Sequence, residues 1–176
     1  MTMKSAITAI LASLTFTGAA QALDKHVLHS AKDWQVELVN PGGGIPMWCD
    51  ASAVYYYGNT EAHVSVSAHY DADLRLQFWH PAWDFGETER TVIWSVDHKA
   101  AVAAPATFFR QSIFVKDHAA LQPMLADIAA GNTLHLIGPF GDPVFSWPLA
   151  GSRAALDVLE DCAGKIQHQT YEGVKR

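Results

Sequence analysis

The sequence has few cysteines, and it has fewer basic than acidic residues. Only two cysteines occur, Cys49 and Cys162, and neither belongs to a Cys-x-x-Cys or metal-ligand spacing, which argues against a redox pair or a structural zinc site. Lysine and arginine number 12 against 18 aspartates and glutamates, so the formal net charge is −6. Nucleic acids and anionic membrane surfaces both attract clustered basic residues. The composition therefore argues against both classes of partner.

No apolar run is long enough for a spanning helix, which needs ~20 residues. The longest is the eleven-residue run from Ala6 to Phe16. Lys4 precedes it and the small-x-small sequence Ala20-Gln21-Ala22 follows, so Met1–Ala22 is predicted to be a secretory signal peptide. The alternative is a buried N-terminal helix. After cleavage the mature chain is expected to begin near Leu23, and its formal net charge becomes one unit more negative because Lys4 is lost. We expect this chain to be periplasmic or secreted and not inserted in a membrane.

Motifs of the common catalytic classes are also missing. Gly151-Ser152 lacks the following glycine of a nucleophile elbow. Gly42-Gly43-Gly44 leads into another strand rather than a helix N-terminus that could receive a phosphate, so it is interpreted as a turn. We therefore predict no catalytic residue and no cofactor. The alternative is a metal-dependent or acid/base hydrolase that uses His80 with Asp84 or Glu87.

Nine histidines raise the hypothesis of a metal site, because imidazole is a common zinc and copper ligand. His63 and His69 lie six residues apart on one predicted strand, or about 20 Å at ~3.3 Å per residue, so they cannot share an ion. His26 and His29 would share a face if their segment were helical. We predict no metal site, and keep an exported metal-binding protein as an alternative.

In an exported chain, a single pair of cysteines is best interpreted as one disulfide, because that compartment favours the oxidised form. A bond between Cys49 and Cys162 would close a loop on the order of 110 residues, which stabilises by roughly 4 to 5 kcal/mol in the chain-entropy model. A catalytic thiol with a spare partner is the alternative.

From Trp34 onward the chain shows short runs with period-two alternation separated by turn residues, which is typical of half-buried antiparallel strands. With no long helix between these runs, the pattern favours a sandwich or barrel over a parallel sheet. The predicted strands are 34–38, 47–56, 62–70, 74–78, 91–96, 100–107, 111–115, 133–137 and 144–147.

Two short helices interrupt the strands. Leu121, Leu125 and Ile128 predict about two turns that end at Gly131, with Pro123 tolerable only if it lies in the first turn. The second is predicted over Arg153–Ala163, with Ser152 as its N-cap and Gly164 as its stop. A disulfide through Cys162 would hold this helix to an early strand.

The predicted architecture is thus a mainly β, antiparallel sandwich or barrel-like domain with two short helices, the C-terminal one disulfide-tied to an early strand. The predicted domain boundaries are a signal peptide over 1–22, an N-terminal lead segment over 23–33, the β domain over 34–164 and a polar tail over 165–176.

Aromatic residues are the most suggestive candidates for binding. One β core cannot bury them all, because alternation sends some outward. Exposed rings beside Asp and His are typical of recognition of a partner protein or a carbohydrate; the alternative is that the tryptophans plug the open end of the sandwich. The predicted binding residues are Tyr55, Tyr56, Tyr57, Trp79, His80, Trp83 and Phe85.

Four short motifs carry a resemblance. They are Trp34-x-Val36, Trp48-Cys49-x-Ala51-Ser52, Val96-Asp97 and Leu149-Ala150-Gly151-Ser152-x-x-Ala155-Leu156-x-x-Leu159-x-x-Cys162. In these residues the chain resembles small exported proteobacterial proteins of the invasion-associated locus B type and uncharacterised periplasmic relatives. The resemblance implies a β domain closed by a disulfide-bonded C-terminal helix, in a periplasmic or secreted, non-enzymatic protein sometimes linked to host-cell invasion. It supplies no catalytic residue.

Overall fold

A computed structural model describes residues 23–43, 45–71, 73–138, 140–141 and 143–173 of the chain, with side chains described up to 167. The predicted signal peptide, 1–22, and the last three residues of the predicted tail lie outside these ranges. The described elements are ten strands and two helices. The first five strands are β1 Asp24–Ala31, β2 Trp34–Asn40, β3 Trp48–Tyr57, β4 Thr60–His69 and β5 Leu74–Trp79. The others are β6 Phe85–Val96, β7 Val102–Arg110, β8 Ser112–Val115, α1 His118–Ala130, β9 Thr133–Ile137, β10 Pro143–Pro148 and α2 Ser152–Gly173.

All ten strands belong to one curled antiparallel sheet. Its order is β1-β2-β3-β4-β5-β8-β7-β6-β9-β10. The first five strands form a meander in which each pairs with the next, as short turns between alternating runs favour. β5 then pairs with β8 rather than β6, so the segment between β5 and β6 must cross the ends of β8 and β7. The predicted mainly β, antiparallel fold with two helices is confirmed.

The first strand, β1, lies within 23–33, where the sequence predicts only a lead segment. Asp24–Ala31 pairs along β2, with a bulge between Val27 and His29. A bulge inserts one residue and breaks the period-two pattern, so this strand shows no clean alternation in the sequence.

The inner face of the curl holds the core. Alternate residues of the strands point into it and are almost fully buried, and the helices supply the rest. The largest buried side chains are Trp34, Trp94, Trp147, Phe78, Leu76, Leu121, Ile128 and Leu134. At roughly 25 cal/mol per Å² of apolar area removed from water, this interior supplies the main stabilisation of the fold.

Helix α1 begins after Asp117, whose carboxylate accepts hydrogen bonds from the backbone N–H groups of Ala119 and Ala120 at 3.0 and 3.4 Å. It ends at Gly131, as predicted. A β-carbon at Gly131 would lie 2.2 Å from Val96 Cγ1, so close packing excludes a side chain there. The expectation that Pro123 is tolerable only in the first turn is wrong, because Pro123 is the sixth helical residue. Proline removes one backbone hydrogen bond, and because Pro123 is exposed, water can satisfy the carbonyl group that loses its partner.

Helix α2 is twice as long as predicted, because it runs through Gly164 to Gly173. Ala155, Leu159 and Cys162 share a buried face, as expected, and Ile166 continues that face one turn further. Burial of Ile166 explains why the predicted stop at Gly164 and the separate tail from 165 are wrong. Glycine costs only ~1 kcal/mol inside a helix.

The start of α2 differs from the prediction too. Ser152 is the first helical residue, not the N-cap, and its hydroxyl donates to the carbonyl oxygen of Ile128 in α1 at 2.7 Å. Gly151 precedes it with φ of +98°, and a β-carbon there would lie 2.2 Å from the carbonyl oxygen of Ala31. The hydroxyl of Ser152 therefore joins the two helices, while Gly151 allows the chain to pass the end of β1.

The Cys49–Cys162 disulfide is confirmed. It links the start of β3 to the middle of α2, with the two Cα atoms 6.1 Å apart. Both cysteines are buried. Among the described residues, neither helix combines the length and apolar character that crossing a membrane would require.

Candidate functional site

The three predicted binding tyrosines divide between two roles. Strand alternation sends Tyr55 and Tyr57 to one side of β3 and Tyr56 to the other. Tyr56 is 71% exposed. The hydroxyl groups of Tyr55 and Tyr57 instead donate to the backbone carbonyl oxygens of Pro148 and Ser146, in β10.

β10 is the last strand of the sheet, so its outer edge has no strand partner among the described residues. The N–H of Ser146 donates to the hydroxyl of Tyr57 at 2.9 Å. Phenol groups thus satisfy backbone groups that a neighbouring strand would otherwise pair. Burial raises the pKa of Tyr55, which keeps its proton available for donation. We call this contact between β3 and β10 the tyrosine seam.

The loop that joins β5 to β6, from Trp79 to Phe85, crosses one end of the sheet and holds the predicted binding residues Trp79, His80, Trp83 and Phe85. The N–H of His80 donates to the carbonyl oxygen of Gln111 at 3.0 Å, and the side-chain amide of Gln111 donates to the carbonyl oxygen of Pro81 at 3.3 Å. These two bonds tie the loop to the turn between β7 and β8.

The rings of this loop gather around Phe145 of β10. Its ring centroid lies 4.8 Å from that of His80 and 5.5 Å from that of Trp83. Phe85 contacts Trp83 on one side, at 5.5 Å, and Phe108 on the other, at 5.1 Å. The structure therefore brings His80, Trp83 and Phe85 into one half-buried aromatic cluster. Trp79 lies on the other face of the sheet, in ring contact with His63 at 4.7 Å.

An apolar cleft of about 540 Å³ opens beside this cluster. It exists because β9 pairs with only Ile93–Val96 of β6, so the Phe85–Val92 half of β6 has β7 as its one described neighbour. Buried core side chains form the floor and aromatic rings form the walls. The main lining residues are Trp83, Phe85, Val92, Phe108, Ile113, Leu136, Val144 and Phe145.

One cation lines the mouth of the cleft. The guanidinium of Arg90, an exposed residue, lies 5.9 Å from the centroid of the Phe108 ring. None of the ion pairs in the described part of the chain involves Arg90. Its positive charge is therefore available to an anionic group that enters the cleft.

The alternative acid/base site is not assembled. His80 Nδ1 accepts a hydrogen bond from the N–H of Ala82 at 3.2 Å, and its ring contacts Trp83 and Phe145. Asp84 and Glu87 are exposed. Across the described ranges, no hydrogen bond or ion pair joins His80 to either carboxylate.

His26 and His29 lie in a strand, not the helix that the metal hypothesis required. The bulge in β1 pairs them with Leu38 and Val36, so both still occupy one face of the sheet. His29 Nε2 is buried without a hydrogen-bond partner among the described residues. The described part of the chain contains no group of three or more His, Cys, Asp or Glu side chains placed to hold a metal ion.

A scan against protein-family models, and searches of curated proteins and of solved structures, found no match to this chain.

Proposed function

We propose that this chain is an exported, non-catalytic binding protein that takes a small apolar acid into the cleft between β6 and β10. The cleft itself supports the proposal. Its volume of about 540 Å³ lies within the range of roughly 300 to 1,000 Å³ typical of small-molecule sites. Its lining is almost wholly apolar, which suits a hydrocarbon chain, and Arg90 at the mouth complements a carboxylate.

Export is the second part of the proposal. The Cys49–Cys162 disulfide supports it, because such bonds persist in oxidising compartments. The resemblance to invasion-associated periplasmic proteins supports the same location. Intact-mass measurement on protein from the native cell should find a chain that begins at Leu23. A chain that retains Met1 would contradict export.

The cleft is tested by titrating decanoate into the protein and measuring heat and tryptophan fluorescence, since Trp83 lines the wall. Val144 lies at the mouth and is 53% exposed, so Val144→Trp should fill the opening without disturbing the core. We expect this variant to bind decanoate at least tenfold more weakly. Phe140→Ala is the matched control, because Phe140 is 94% exposed and does not line the cleft.

The role of Arg90 is tested by comparing decanoate with decanol, which has the same chain and no charge. Arg90→Gln should weaken decanoate binding five- to tenfold and leave decanol binding unchanged. Equal loss for both ligands would show that Arg90 acts through packing on Phe108. Absence of binding of either ligand by the unmodified protein would refute the proposed cleft function.

A further inference from the structure

A second cavity lies on the outer face of the sheet. It is a trough of about 400 Å³ that extends across β1 to β5, and none of its lining residues lines the apolar cleft. The residues that form it point away from the core, because they alternate with the buried positions of the same strands. On β3, β4 and β5 its lining residues are Trp48, Asp50, Ser52, His63, Ser65, Gln77 and Trp79, and Leu23, Lys25 and Val39 complete the lining.

Each of the two tryptophans in the trough is supported by a histidine. The ring of Trp48 stacks on that of His69, with centroids 5.8 Å apart and planes inclined by 19°. The rings of Trp79 and His63 meet edge to face, with centroids 4.7 Å apart. His63 Nε2 lies 2.8 Å from the carboxylate of Glu61, and His69 Nε2 lies 3.3 Å from the hydroxyl of Ser67. These contacts hold both indoles in place at the sides of the trough.

The floor between the indoles is polar and made of small side chains. Asp50 lies directly opposite Ser67 on β4, and Ser52 lies opposite Ser65, which in turn lies opposite Gln77 on β5. The side-chain amide of Gln77 donates to the hydroxyl of Ser112 at 2.8 Å, and its carbonyl oxygen can still accept. Serine hydroxyls occupy little volume, so they leave room above the sheet.

Asp50 is the one carboxylate of this floor. Burial raises its pKa to about 6, and the positive charge of Lys25 together with hydrogen bonds from Ser65 and Ser52 offsets that rise only in part. A carboxyl group held in so confined a position gains from a partner that donates hydrogen bonds to it.

The nearby cation is already neutralised. Lys25 Nζ lies 2.9 Å from the carboxylate of Glu37, which also accepts from the side-chain amide of Gln35 at 2.8 Å. Lys25 is the one lysine or arginine in the lining of the trough, and it is thus already in an ion pair. The carboxylate of Asp50 disfavours a second negative charge nearby.

We propose that this trough is a binding site for a neutral saccharide. A sugar ring has an apolar C–H face that packs on an indole and hydroxyl groups around its edge that exchange hydrogen bonds with carboxylate, amide and hydroxyl side chains. The trough presents all of these groups together. This site is independent of the proposed cleft function, because the two cavities lie on opposite faces of the sheet.

The probe for this site is chitotriose, a neutral trisaccharide, titrated into the protein while heat and tryptophan fluorescence are recorded. Trp48→Ala and Trp79→Ala should each weaken binding at least fivefold, and Asp50→Asn should weaken it about tenfold. Tyr56→Ala is the matched control, since Tyr56 is an exposed aromatic of β3 outside the trough. The affinity of the Tyr56→Ala variant for chitotriose should equal that of the unmodified protein.

A second measurement does not depend on the variants folding. In a two-dimensional ¹H–¹⁵N spectrum of the unmodified protein, chitotriose should shift the indole N–H signals of Trp48 and Trp79 and leave that of Trp83 unchanged. Decanoate should do the reverse. Failure of chitotriose to bind, or shifts confined to other tryptophans, would overturn the saccharide site without bearing on the cleft.

Discussion

The two ends of β3 are closed in different ways. At its start, Cys49 is joined covalently to α2. At its end, Tyr55 and Tyr57 hold β10 through hydrogen bonds alone. α2 presents an apolar face, because its backbone groups bond within the helix, whereas the outer edge of β10 has backbone groups that no neighbouring strand pairs. The partner element thus determines whether a covalent bond or hydrogen bonds attach it to β3.

The largest effect should come from the covalent end. Replacing both cysteines, Cys49→Ala with Cys162→Ala, should lower the free energy of unfolding by roughly 4 to 5 kcal/mol, because the bond restricts a long loop in the unfolded chain. Urea denaturation with and without dithiothreitol measures this loss. The reductant should destabilise the unmodified protein and leave the double variant unchanged; a reductant effect on both would contradict this explanation.

An intermediate effect is expected between the two ends, at Asp50. Because its folded pKa of about 6 exceeds the ordinary value, the folded state binds more protons than the unfolded state between about pH 4 and pH 6. Stability should therefore fall as the pH rises through that window. Asp50→Asn should raise the free energy of unfolding at pH 7 by on the order of 1 to 3 kcal/mol, and this gain should vanish below about pH 4.

Asp97 provides a control of opposite sign. Desolvation would raise its pKa, but hydrogen bonds from the N–H groups of Asn132 and Thr133, the latter at 2.8 Å, lower it overall. Its contribution to stability should be present above about pH 4 and lost as the pH falls through the lowered value. Asp97→Asn should therefore destabilise at pH 7, and a gain in stability there would contradict the assignment.

The smallest effect should come from the tyrosine seam. Tyr57→Phe removes the hydroxyl that contacts both backbone groups of Ser146, and should cost about 1 kcal/mol. Amide hydrogen exchange should show faster exchange of the Ser146 N–H. Tyr56→Phe is the matched control, because its side chain points to the other side of β3; unchanged exchange in Tyr57→Phe would contradict the seam.

Much of the fold could be predicted from the sequence because its strands bury one face. Period-two alternation gave the position of β4, and β9 matches its predicted limits. The fold-closing contacts could not be predicted in the same way. Tyr57 and Ser146 lie 89 residues apart in the chain, and no local pattern specifies that pairing.

The candidate sites, too, could be predicted only where a local sequence pattern marks the residue. The sequence did identify Trp79, Trp83 and Phe85 as candidates for binding. It could not show that Trp79 faces outward while Trp83 and Phe85 turn to the other side, since the loop between them reverses the chain. Trp48, Asp50 and Arg90 were missed as site residues, because they become neighbours of the other lining residues only through strand pairing.

The position of the disulfide also bears on the order of events during biosynthesis. A chain is made from its N-terminus, so Cys49 is completed 113 residues before Cys162. The meander from β1 to β5 has local contacts and can form early, whereas β10 and α2 follow later in the chain. Cys49 therefore cannot form its native disulfide until Cys162 and the first turns of α2 have been made. Oxidation of this pair thus follows formation of the meander rather than preceding it.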